Sequence, residues 1–142
     1  MESDWRSDAL KEIGALKRPW IEKYAWSPCV DTANPNHIDL YIRLSRPDAG
    51  DRPRKVFVLR LRYEPDFRTA GRREQFVNAE DWTKEGVEYW PTGVGGILPD
   101  RNPPVICLEG TCGFHSDLHR DRDGRRANLN KLLLEIQRCL SQ

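Results

Sequence analysis

The cysteines at 29, 107, 112 and 139 and the histidines at 115 and 119 can act as nucleophiles or hold a soft metal. Cys107 draws attention first. It follows Asn102-Pro103-Pro104-Val105-Ile106 and precedes Leu108-Glu109-Gly110, so its thiol stands on the lip between an apolar segment and a glycine-containing loop. A thiol so placed can be both held and reached, although a cysteine with a purely packing role fits the same pattern. The same stretch continues as Cys107-x4-Cys112-x2-His115-x3-His119, four soft or borderline donors of the kind that satisfy tetrahedral zinc, with His115 and His119 spaced for one helical face. Only two residues separate Cys112 from His115, however, and gathering all four ligands on one ion strains the loop.

Other motifs are weaker. Thr92-Gly93-Val94-Gly95-Gly96 lacks the Lys-Ser/Thr pair of a phosphate cradle and reads as a flexible loop. The arginines at 68, 72 and 73 and at 120, 122, 125 and 126 are interspersed with acids and read as a solvated charged surface.

Several elements are expected to position these residues. Ser3 or Asp4 can cap a helix carrying Leu10, Ile13, Leu16 and Lys17 at helical spacing, with Pro19 stopping or kinking it. Residues 20–26 suggest a strand. Ile38, Leu40, Ile42 and Leu44 alternate with polar neighbours over 37–44, the period of a half-buried strand. A turn-rich stretch over 45–54 leads into a second strand over 55–63, making an antiparallel hairpin. Residues 64–104 lose periodicity and gain glycine, proline and isolated aromatics, which suggests short elements and functional loops. Over 128–140, Leu129, Leu132, Leu133, Ile136 and Leu140 form the apolar stripe of a helix, with Asn128 as its N-cap.

At 142 residues the chain fits one domain spanning 1–142 and can bury roughly two thirds of its unfolded surface without disulfides or metals. Its 23 basic and 22 acidic side chains nearly cancel, so no global field favours a nucleic-acid partner. No apolar run of about 18 residues is present to span a membrane, and the polar, acidic start at Met1-Glu2-Ser3-Asp4-Trp5 is unlike a secretory signal. A cytoplasmic location is therefore expected, where cysteines serve as thiols, catalytic groups or ligands.

The succession of helix, strand hairpin, proline-rich irregular stretch, Ile106-Cys107-Leu108, polar loop and Leu132-Leu133-Leu134-Glu135-Ile136-Gln137 resembles the ubiquitin-conjugating superfamily over about residues 5 to 140. The strand ending in Tyr63-Glu64-Pro65 is similar to the family's strand leading into a Tyr-Pro turn. There are departures. Pro99 occupies the place of the asparagine in the family's His-Pro-Asn tripeptide, Asn102 being the nearest substitute, and His115 stands near the family's tryptophan. Such divergence is similar to that of prokaryotic members found beside ubiquitin-like proteins, activating enzymes and deubiquitinase-like peptidases.

The resemblance implies an α+β fold: an antiparallel meander with an N-terminal and a C-terminal helix. It also implies a thioester carrier, in which Cys107 takes a ubiquitin-like protein from an activating enzyme and yields it to an amine of a protein substrate. Antiviral defence is implied as the setting. An ordinary thiol, with a pKa of about 8.5, is only partly ionised at neutral pH, and exchange needs no stronger activation. Acyl transfer further needs a proton acceptor for the amine, for which Asp100, His115, Asp117 and His119 are candidates, and an oxyanion donor, for which Asn102 is one. No cofactor is expected. The alternatives are a noncatalytic domain of the same fold and a zinc-stabilised interaction module.

Overall fold

The computed structural model describes residues 4–48, 51, 53–114 and 128–142. Asp4 caps the first helix, α1 (Trp5–Gly14), its carboxylate accepting from the Ser7 backbone N–H. The chain turns at residues 15–17 and enters α2 (Arg18–Tyr24), with Pro19 in its first turn. Pro19 therefore begins a helix, where its missing N–H is not needed and its fixed φ is already helical. The strand expected over 20–26 is helix instead. Ala25, at φ 55°, ends it in the left-handed region, and the strand begins just afterwards as β1 (Ser27–Asp31).

A four-stranded antiparallel sheet follows in the order β1-β2-β3-β4. Strands β2 (Ile38–Arg46) and β3 (Lys55–Tyr63) pair from Ile38 opposite Tyr63 to Arg46 opposite Lys55, the expected hairpin. After a short helical turn, α3 (Phe67–Ala70), the edge strand β4 (Arg73–Val77) pairs with β3. The rest of the irregular stretch holds a 3-10 turn (Val87–Tyr89) and β5 (Ile97–Leu98), which forms a small hairpin with β6 (Val105–Ile106). The last element is α4 (Leu129–Leu140), with the Asn128 side chain accepting from the Lys131 N–H.

Period two on the strands and period 3.6 on α4 meet in one core. Ile38, Leu40, Ile42 and Leu44 of β2 and Phe57, Leu59, Leu61 and Tyr63 of β3 lie buried with Leu129, Leu132, Leu133, Ile136 and Leu140 of α4. The opposite face is partly covered by the irregular stretch: Trp82 stacks on Tyr41 with ring centroids 4.6 Å apart, and Glu85 pairs with Arg60 at 2.6 Å. The helices are joined by side-chain amides. Asn130 of α4 accepts from the Lys17 N–H and donates to the Ala15 carbonyl, both at 2.9 Å, fixing the α1–α2 turn. No helix among the described residues is long and apolar enough to cross a membrane.

Gln137 brings a polar side chain into this core. Gln137 accepts from the Trp26 indole at 3.0 Å and donates to the Ser45 carbonyl at 3.0 Å and the Ser141 hydroxyl at 3.1 Å. A Gln137→Leu substitution keeps the volume but strands a buried indole N–H and a carbonyl, and should lower unfolding free energy by about 1–3 kcal/mol in urea denaturation. Unchanged stability would show that these three bonds contribute nothing net.

Candidate functional site

Strand β6 delivers Cys107 to the end of the short hairpin. Its backbone N–H donates to the Gly96 carbonyl at 2.6 Å, continuing the β5–β6 pairing by one step, and its side chain is half-buried. Gly96 sits at φ +85°, a conformation that favours glycine, and Leu108 and the Cys139 sulfur lie beside it. The turn after Cys107 is closed by Thr111. Its fully buried hydroxyl lies 2.6 Å from the Ile106 carbonyl and 2.8 Å from that of Leu108.

This turn is fastened to the start of β4 by Arg72. The Arg72 backbone N–H donates to the Gly110 carbonyl at 3.1 Å, and its own carbonyl accepts the Cys112 N–H at 2.8 Å. Its guanidinium also donates to the Gly110 carbonyl at 3.0 Å, to the Tyr63 hydroxyl at 3.3 Å and, through Nε and Nη2, to Glu12 of α1. Arg72 is only 2% exposed, so the solvated role expected of it is corrected: Glu12 and these acceptors replace water. Gly71 (φ +84°) lies so close that a Cβ would meet the Thr111 carbonyl carbon and oxygen at 2.8 Å.

Glu74 of β4 makes a second attachment. One carboxylate oxygen accepts the Gly113 N–H at 3.1 Å and the Ile106 N–H at 3.4 Å, and the other accepts the Cys112 N–H at 3.0 Å. Burial pushes this carboxyl up to about 7, although the backbone donors pull the other way. Gly113 is required here, because a Cβ would lie 2.6 Å from both the carboxylate and Val105. Beside it, Arg73 donates from Nη1 to the Cys112 sulfur at 3.2 Å and pairs with Glu64. Burial opposes the Arg73 charge, but Cys112 and Glu64 outweigh it and hold the guanidinium above its ordinary pKa.

The candidate residues are thus distributed over more than one place. Asp100 is exposed and lines a depression formed by residues 92–101. Asn102 is exposed as well, and lines a separate cavity of about 430 Å³ that contains Cys112, Arg73 and Glu74 and does not include Cys107. His115, Asp117 and His119 lie outside the described residues, as do two ligands of the zinc arrangement. Among the described residues, no cluster of three or more His, Cys, Asp or Glu side chains is placed to hold a metal ion. Of the other thiols, Cys29 is exposed on β1, and Cys139 is buried on α4. Sequence reading misses Glu74 and takes Arg73 only as solvated charge, because the contacts of both with Cys112 span more than thirty residues of chain.

Comparison with known proteins adds no relative: no family model, curated protein or solved structure matches the chain.

The Glu74 contact makes a signed pH dependence. Its carboxyl holds a proton up to about pH 7 in the folded chain but ordinarily loses it near 4.5, so between those values the folded state binds more protons. This contribution to stability is present below about pH 4.5, declines as pH rises and is gone above about pH 7. Urea denaturation should show a loss of about 1–3 kcal/mol across that window attributable to this residue. Glu74→Gln removes the ionisation and should flatten that part of the profile; an identical slope in the variant would rule out Glu74 as its source.

Proposed function

We propose that the chain is a thioester carrier of the ubiquitin-conjugating type, with Cys107 as its acceptor thiol. The observation that supports the reading best is the position of Cys107. It is half-buried at the end of β6, backbone-anchored to Gly96, and follows a four-stranded antiparallel meander whose core is closed by α4. Held main chain with a partly accessible sulfur suits a group that must both attack and release. In this reading the Cys107 thiolate attacks the thioester carbonyl on an activating enzyme. A bond forms between Cys107 Sγ and the modifier's C-terminal carbon, the bond from that carbon to the activating enzyme's sulfur breaks, and the departing thiolate takes up the proton that Cys107 gave up. An amine of a protein substrate then displaces Cys107, giving an amide.

The exposed carboxylate of Asp100 is the described candidate for receiving the amine proton, alongside His115, Asp117 and His119. Asn102 is retained as an oxyanion donor on its place in the chain, although its side chain lines the Cys112 cavity. A cytoplasmic conjugation pathway serving antiviral defence is the setting this reading proposes.

With the cognate activating enzyme, its ubiquitin-like protein, ATP and magnesium, the chain should acquire an adduct that reducing agent dissolves. Cys107→Ser should convert it to a thiol-resistant oxyester or abolish it, while Cys112→Ser should charge like the parent. Charging that survives Cys107→Ala defeats the assignment of the nucleophile. A chain that forms no adduct on any cysteine is instead a noncatalytic interaction module.

A further inference from the structure

The two edges of the four-stranded sheet are treated differently. The β4 edge is covered, with Arg72 bridged to Thr111 and Val77 to Glu85. The β1 edge is bare: every residue from Ser27 to Asp31 is exposed, and among the described residues none of their backbone groups bonds to main chain beyond β2. A row of unpaired N–H and C=O groups is a template for another strand.

Pro28 decides which groups are free. Pairing with β2 runs unbroken from Ser27 opposite Arg43 to Asp31 opposite Asp39, yet Pro28 has no N–H to contribute. The reciprocal bonds to β2 therefore belong to Ser27, Cys29 and Asp31, and the backbone of Pro28 and Val30 turns outward. The free edge thus presents the Pro28 C=O and both polar groups of Val30. The Val30 side chain, at 40% exposure, is also one of the few large apolar groups left open among the described residues.

This set is complementary to itself. About a two-fold axis at Val30, an antiparallel second β1 brings Val30 opposite Val30 of the second copy, where each N–H donates to the other's C=O, and Pro28 opposite Thr32. The Thr32 N–H, which has no partner among the described residues, then reaches the Pro28 C=O. The N–H that Pro28 lacks is not needed, because the Thr32 C=O already accepts from Arg6 Nη2 at 2.9 Å. Asp31 falls opposite Cys29, so no like charges meet. A strand of other sequence would set an unsatisfied carbonyl against the proline, which favours the second copy as the occupant.

We propose that β1 is a homodimerisation edge that joins two four-stranded sheets into one sheet of eight strands. It lies at the opposite edge from the cysteine turn and is independent of the Cys107 reading. Five residues a side make a small interface, which sets the dimer dissociation constant at about 10–100 μM.

Sedimentation equilibrium of the full chain should show the mass rising from one chain to two across that range. Val30→Lys places two charges face to face at the axis and should weaken the dimer by at least about tenfold, with the far-UV spectrum of the fold unchanged. The register is read by cross-linking: in a Cys29→Ser, Val30→Cys chain, oxidation with copper phenanthroline should join residue 30 to residue 30 of the second copy, since directly opposed Cα atoms lie about 5.5 Å apart. Cys29 of the parent, set two residues off the axis partner, should cross-link to itself far less. A parent that stays monomeric, its edge open or reserved for a different strand, overturns the proposal. So does a dimer that a folded Val30→Lys chain forms equally well, or one in which Cys29 links to Cys29 more readily than residue 30 to residue 30.

Discussion

The buried guanidinium of Arg72 connects three parts of the molecule that sequence keeps far apart: Glu12 on α1, Tyr63 at the end of β3 and Gly110 in the cysteine-bearing turn. Burial opposes its charge, but Tyr63 and Glu12 restore the balance and keep the guanidinium protonated. A charge at this depth is tolerated only while its partners stay in place. The arginine thereby makes the position of the turn depend on the helix and the sheet. Its backbone uses both of its polar groups on the same segment, receiving Cys112 and donating to Gly110. Because Gly71 and Thr111 come within van der Waals distance, the approach leaves no room for a side chain on Gly71.

Glu74 repeats the arrangement two residues further on, with a carboxyl group in place of a guanidinium and with backbone N–H groups as its partners. Together the two residues convert the open edge of β4 into a holder for residues 106–113. The holder gives the two thiols different surroundings. Cys107 lies on the hairpin side, anchored through its own N–H to Gly96, while Cys112 contacts Arg73 beside the cavity.

Some of this was legible in the residues and some was not. Strands β2 and β3 and helix α4 announce themselves because one face of each is buried, so Ile38 to Leu44 and Leu129 to Leu140 carry the period of their elements. Helix α2 does not, since none of its residues is fully buried and Pro19 reads as a stop when it is in fact a start. Strand β4 is equally hidden: Arg73, Glu74 and Gln75 are polar because they face the cysteine turn and the cavity, not an apolar core. Cys107 could be singled out from its neighbours in the chain. The partners of Cys112 could not, because a contact between β4 and residue 112 is set by the folding of the whole sheet and leaves no local pattern.

The account depends most on Arg72 holding the cysteine turn against β4, and backbone amide hydrogen exchange tests this residue by residue. In an Arg72→Met chain the Cys112 amide should exchange about ten- to a hundredfold faster than in the parent, while the Leu59 and Leu61 amides in the sheet keep their protection. Unchanged protection at Cys112, or an equal loss at Cys112, Leu59 and Leu61, would contradict it.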